Sequence, residues 1–153
     1  MEYEQLKLSN QLCFPVYAAS RLITRGYQPY LDKLGITYPQ YLVLLVLWET
    51  DGLPVNEIAR RLILNTNTIT PLLKRMEEQG IIVRERSTED ERKVIVYLTE
   101  KGWSMREEAA AIPFKLLEGL QSGDIALLDL LELRDKLNGL IAFILKNEVN
   151  SED

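Results

Sequence analysis

The sequence predicts a mainly α-helical protein with a small β-hairpin wing: a winged helix-turn-helix held by a helical region from both chain ends. Three observations carry this reading. Residues 55–62 and the stretch after Asn65-Thr66-Asn67 are two short helical patterns joined by a polar turn. Residues 81–86 and 93–98 then read as a strand pair with a charged tip, and Val94, Val96 and Leu98 alternate with Lys93, Ile95 and Tyr97. The two ends of the chain carry amphipathic helical patterns with more apolar surface than a small winged helix needs for its own core.

The elements follow in order. Residues 6–34 form a first helical segment, with Leu12, Val16, Ala19, Ile23, Tyr27, Tyr30 and Leu34 in one apolar stripe. Pro15 interrupts it, which requires either an ordered turn beginning close by or a kink. Gly35 ends the segment. Thr37-Tyr-Pro-Gln40 has the form of a capping box, with Pro39 in the first turn. The second helix, about 38–49, is apolar nearly all round and therefore central; Asp51-Gly52 stops it. The third helix, 55–62, turns Val55, Ile58, Ala59 and Leu62 inward. The fourth runs to Glu78 or Gln79 with Ile69, Leu72, Leu73 and Met76 inward, a bend expected at Pro71 and Gly80 as its stop. After the hairpin, Thr99 caps a fifth helix over about 100–120, kinked at Pro113. A sixth begins at Ser122-Gly123-Asp124. Residues 53–98 are thus the DNA-reading module, and residues 1–36 and 100–148 the dimerisation helices of a single domain, 1–153.

Composition narrows the function. The chain has 153 residues, a net charge of −5, one Cys and no His. A Ser-His-Asp triad, a histidine metal site and an intramolecular disulfide are excluded, and no metal or cofactor is expected. No membrane span is predicted, and the acidic start lacks a signal-peptide pattern, so a soluble cytoplasmic protein is expected. The charge is unevenly placed. Residues 53–98 hold eight Lys and Arg against seven Asp and Glu, whereas the remainder holds ten against sixteen. Between Arg60 and Arg75 there are four basic residues and no acidic one. A local basic face in an acidic protein fits a site-specific DNA binder better than a broad DNA coater.

The candidate contacts follow from residue chemistry. Thr66, Asn67, Thr68, Thr70, Lys74 and Arg75 are available on the outer face of the second reading helix, and such side chains hydrogen-bond base edges and phosphates. In the wing, Asp90 lies two residues before Arg92 and is expected to hold its guanidinium through a bidentate pair, aimed at a minor groove. Arg84 and Arg86 on the preceding strand are candidate phosphate contacts. A solvated polar face and a merely soluble turn are the plain alternatives.

Thr70-Pro-Leu-Leu-Lys-Arg-Met-Glu77, Arg84 to Arg92 with its Ser-x-Glu-Asp-Glu core, and Leu98-Thr-Glu-Lys-Gly102 resemble the winged helix of the MarR-family transcriptional regulators. Upstream, Leu12-Cys-Phe14, Tyr17-Ala-Ala-Ser20 and Leu34-Gly-Ile-Thr-Tyr-Pro-Gln-Tyr-Leu42 are similar to the organic hydroperoxide repressors of that family, one-Cys type. The resemblance spans nearly the whole chain. It implies a homodimer on a pseudo-palindromic double-stranded operator, with Cys13 as the peroxide-sensing thiol and Tyr27 and Tyr38 contacting its surroundings. The sequence departs from the family at Pro15, Pro54, Asn65 and Asn67.

The sensor reading carries a geometric demand. Cys13 and Tyr27 are 14 residues apart, roughly 21 Å along a straight helix at about 1.5 Å per residue. Contact needs an antiparallel first helix from a second subunit, or a sharp break at Pro15. Oxidation of Cys13 to a sulfenic acid would then need a low-molecular-weight thiol, or a thiol on another molecule, to form a disulfide. Two other readings compete: a regulator released by a small phenolic or aromatic ligand with Cys13 inert, and a thiol peroxidase. The second lacks a resolving Cys and a His base.

Overall fold

Capping residues, prolines and glycines divide this chain into its helices. The computed structural model describes residues 3–121 and 124–149. Two 3-10 turns, Glu4–Leu6 and Leu8–Asn10, precede α1 (Cys13–Leu34) and α2 (Tyr38–Glu49). Then come β1 (Leu53–Pro54), α3 (Val55–Leu62), α4 (Thr66–Glu78), β2 (Ile82–Arg86) and β3 (Val94–Leu98), followed by α5 (Glu100–Ala109), α6 (Ile112–Leu120) and α7 (Leu127–Val149). The chain forms two compact units, Met1–Ile112 and Pro113–Asp153.

In the first unit, α1 starts at Cys13 rather than at residue 6. Pro15 is therefore in its first turn, where no intrahelical N–H is lost, and the helix runs unbroken to Leu34. Pro29, inside the helix, removes one internal hydrogen bond without ending it. Gly35 closes α1 at φ +68°. The Thr37–Gln40 capping box opens α2 as expected. Leu44 and Leu47 of α2 are fully buried, and its Trp48 Nε1 donates to the Gly102 carbonyl at 3.0 Å. The core gathers around this helix from α1, α3, α4, the sheet and α5.

Beyond the start of α1, three more features of the fold differ from the sequence expectation. First, Leu53–Pro54 forms a third strand, so the hairpin is part of a sheet ordered β1-β3-β2, with Leu53 opposite Val96 and Arg84 also opposite Val96 from the other side. A two-residue strand has too little pattern to be read locally. Second, the long fifth helix is two helices. Pro113 cannot donate to Ala109 and its ring would meet that carbonyl, so α5 ends at Ala109 and Pro113 falls in the first turn of α6. Third, the last helix starts at Leu127, where Asp129 turns back to accept from the Ala126 N–H at 2.8 Å; Ser122 and Gly123 of the expected start lie outside the described residues.

The turn between α3 and α4 is tight. Ile63 adopts φ +55° as the cap of α3, a left-handed conformation unusual for a β-branched residue. Its N–H reaches Arg60 and that of Leu64 reaches Ala59. The second unit contains most of α6 and α7. It presents exposed apolar side chains along its helices, including Phe114 at 71%, Leu128 at 77% and Phe143 at 63%. The N-cap Leu12 and the N-terminal part of α1, with Phe14, Val16 and Tyr17, do the same. Among the described residues, no helix is long and apolar enough to cross a membrane.

Candidate functional site

The reading helix α4 begins at Thr66, two residues earlier than the polar run suggested. Asn65 is the N-cap: its Oδ1 accepts from the Thr68 N–H at 2.8 Å and from the Thr68 hydroxyl at 3.0 Å. Thr66 and Asn67 therefore lie in the first helical turn, not in the connecting loop. The Thr70 hydroxyl donates to the Thr66 carbonyl at 2.7 Å. Pro71 sits within the helix, which continues through it to Glu78.

At 100° per residue the outer face divides. Thr66 and Thr70 face the wing, where they line a groove of about 340 Å³ with Pro54, Asn56, Arg84 and Arg92. Asn67 and Lys74 point outward and are exposed. Arg75 lies on the opposite flank, lining a separate recess with Thr37 and Gln40. Five of the six residues read as one face thus present three directions, and the exposed Thr68 turns its hydroxyl back to Asn65.

The basic run is partly tied down. Glu57 accepts from Arg60 Nε at 2.8 Å and Nη2 at 2.7 Å, and from Arg61 Nε at 3.0 Å. These hydrogen bonds hold the Glu57 carboxyl down at about 2. In the wing, Arg84 is engaged by Glu77 of α4, while Arg86 is exposed. The Asp90–Arg92 pair is present but not bidentate: one oxygen, Oδ1, accepts both the Arg92 backbone N–H and Nε, each at 3.1 Å. The two residues are too close in sequence for a fork-to-fork approach, so Asp90 shapes the turn and leaves the rest of the guanidinium exposed.

The second cluster is aromatic. The Tyr27 and Tyr38 rings have centroids 4.9 Å apart, and Tyr41 completes a triangle at 5.7 and 6.2 Å. Trp48 extends it at 6.4 Å from Tyr41. Burial pushes the Tyr27 hydroxyl up to about 12, with Tyr38 and Tyr41 adding to the rise. Burial also raises Tyr38, and it raises Tyr41 together with Tyr38. All three therefore stay protonated near neutral pH and remain hydrogen-bond donors. Cys13 is exposed at the first position of α1. Because α1 is continuous, Cys13 and the Tyr27 of the same chain remain about 21 Å apart along it, at about 1.5 Å per residue.

Several site residues escaped the sequence reading. Tyr41 is three residues after Tyr38 on the same helical face, a spacing that pointed to it. Asn56 and Lys93 line the wing-side groove, and Glu77 fixes Arg84; neither arrangement has a local signature.

A short helix pair beside a charged three-stranded wing, with threonine, asparagine and lysine presented outward, defines a DNA-binding transcriptional regulator of the winged helix-turn-helix class rather than an enzyme. Comparison with known proteins agrees. A family model for the transcriptional regulator SarA/Rot matches residues 25–109. The organic hydroperoxide resistance transcriptional regulator of Bacillus subtilis is 51% identical over 142 residues, 92% of this chain and 93% of that protein. The structure of reduced AbfR bound to DNA is 41% identical at a TM-score of 0.70, covering 92% of this chain and 99% of that one. A disulfide-formed AbfR is 42% identical at a TM-score of 0.61, covering 90% and 95%. The chain belongs to this family of winged-helix regulators of the MarR type, in the organic hydroperoxide resistance group, and its single cysteine makes it one-Cys.

Proposed function

We propose that the protein is a homodimeric repressor that binds a pseudo-palindromic double-stranded operator and releases it when an organic hydroperoxide oxidises Cys13. The observation that carries this reading is the Tyr27–Tyr38 ring pair at 4.9 Å, two hydroxyls kept protonated, one on the helix that the lone cysteine begins and one on the next. A tyrosine O–H donates to a thiolate and stabilises the reactive form. Since α1 is unbroken, that donation comes from a second protomer whose α1 runs antiparallel. The exposed apolar side chains around Cys13 and along α7 supply the surface such a dimer buries.

The chemistry balances with the groups named. The Cys13 thiolate attacks the terminal peroxide oxygen, the O–O bond breaks, and the alcohol leaves after taking a proton. The sulfenic acid then condenses with a low-molecular-weight thiol, losing water and forming a mixed disulfide. The added group at the dimer interface spreads the two reading heads from their half-site spacing. Capture of AbfR both reduced on DNA and in a disulfide-formed state supports a thiol-based switch in this group.

In the test, operator binding is compared before and after cumene hydroperoxide with a small thiol, in wild type and Cys13→Ser. Binding is expected to fall in wild type alone. An unchanged wild type overturns the sensor reading, and release by a phenolic compound instead would support the ligand-controlled alternative.

A further inference from the structure

The reading helix ends against the corner between α1 and α2, and two glutamines make the junction. Gln40 is 3% exposed, a polar side chain within the core. Its Oε1 accepts from the Thr37 N–H at 2.9 Å. That fixes the amide, whose Nε2 donates to Gln79 Oε1 at 2.9 Å. Gln79 continues the series, its Nε2 donating to the Gly35 carbonyl at 3.2 Å. Each amide oxygen accepts and each nitrogen donates, so the chain from Thr37 to Gly35 has one consistent direction.

Both glutamines stand at pivotal positions. Gln79 is the C-cap of α4, with its N–H on Arg75 and its carbonyl accepting from Lys101 Nζ at 2.8 Å. Gln40 lies between Tyr38 and Tyr41 at the start of α2. Gly35 caps α1 about two turns beyond Tyr27. An open recess of about 420 Å³, lined by Gly35, Thr37, Gln40, Arg75, Glu78 and Gln79, adjoins the junction and leaves room for it to shift.

We infer that Gln40 and Gln79 are positioning residues that couple the angle of the reading helix to the α1–α2 corner bearing Tyr27 and Tyr38. The helix α4 is a lever. Its 13 residues span about 20 Å, so a tilt of about 5° at Gln79 moves Thr66 by about 2 Å, enough to break hydrogen bonds to DNA. Both groups are uncharged, so salt does not screen the link. The inference rests on the DNA-reading part of the proposed function and not on peroxide chemistry at Cys13.

The test is hydrogen–deuterium exchange on the full-length protein, with and without a duplex from the DNA upstream of its own coding sequence. In wild type, DNA is expected to slow exchange both in α4 and the wing and at residues 35–41. In Gln79→Met the slowing stays in α4 and the wing but falls about tenfold at residues 35–41. Lys101→Met, which loosens the same helix end from α5, keeps the wild-type pattern. Gln40→Glu retains the capping acceptor and loses the donor to Gln79. It is expected to reproduce the loss, and it serves if Gln79→Met does not fold. Equal slowing at 35–41 in the glutamine variants and wild type overturns the inference. So does wild-type protection confined to α4 and the wing. Protection nowhere in wild type removes the DNA-reading function and the inference with it. Linked protection in a wild type that ignores peroxide sustains the inference and removes only the sensor reading.

Discussion

Glu77, in the last turn of α4, holds Arg84 of β2 with both carboxylate oxygens. Oε1 accepts the Arg84 backbone N–H at 2.9 Å, and Oε2 accepts Nε at 3.0 Å and Nη2 at 2.8 Å. The reading helix and the wing strand are thereby fixed to each other through both main chain and side chain. An expected phosphate contact is also a structural strut.

Glu77→Gln should therefore loosen the wing. The Arg84 side chain holds the Glu77 carboxyl below its usual range, with burial partly opposing. A depressed carboxyl stabilises the fold above its unfolded value, about 4.3, and that contribution fades as pH falls through the folded value. The side chains are 25% and 35% exposed, so the loss at pH 7 should be modest, about 1 kcal/mol. Thermal melts of wild type and variant should differ at pH 7 and converge in acid.

Arg92→Ala should weaken operator binding about tenfold, since the guanidinium is 91% exposed and not buried against the fold. Stability should be unchanged. Binding measured across salt concentrations separates its two roles: a phosphate contact lowers the salt slope by about 1, whereas minor-groove insertion changes sequence preference instead.

Tyr27→Phe and Tyr38→Phe should leave operator affinity of the reduced protein within about twofold, because neither touches the reading face, yet slow peroxide-driven release about tenfold or more. Release is followed by fluorescence anisotropy of labelled operator DNA after peroxide addition. Since the chain has no His and Tyr27 titrates only at about 12, neither accounts for a change in that rate between pH 6 and 9.

Backbone positions should separate sharply in urea titrations. A Cβ at Gly102 would lie 2.4 Å from the Ile81 carbonyl oxygen and 3.0 Å from Leu98 Cδ2, so Gly102→Ala should cost about 2–4 kcal/mol. At Gly80 nothing lies within 4 Å and only φ +70° opposes a side chain, so Gly80→Ala should cost about 1 kcal/mol. Ile63→Asn should stabilise by up to about 1 kcal/mol, since Asn tolerates the left-handed conformation that Ile63 holds at φ +55°.

Leu128→Glu and Phe143→Glu place charge on the exposed apolar surface of α7. Both should shift the protein toward monomer in sedimentation velocity. Operator affinity should fall about 100-fold, because one reading head alone loses the second half-site.

The sequence by itself determined the helices whose signals are local. The Thr37–Gln40 capping box, the buried α2, the α3 stripe and the alternating β3 all follow from periodicity and caps within a few residues. The winged-helix class and the family followed from the motifs between Thr70 and Gly102. Only the tertiary structure decided how those pieces act on each other. It set Arg84 against Glu77, brought Tyr38 and Tyr41 of α2 to Tyr27 of α1, and linked Gln40 to Gln79 across 39 residues. The reason is physical: caps and periodic stripes are stabilised by neighbours in the chain, whereas these contacts are made by groups that only the packing of separate helices and strands brings within reach.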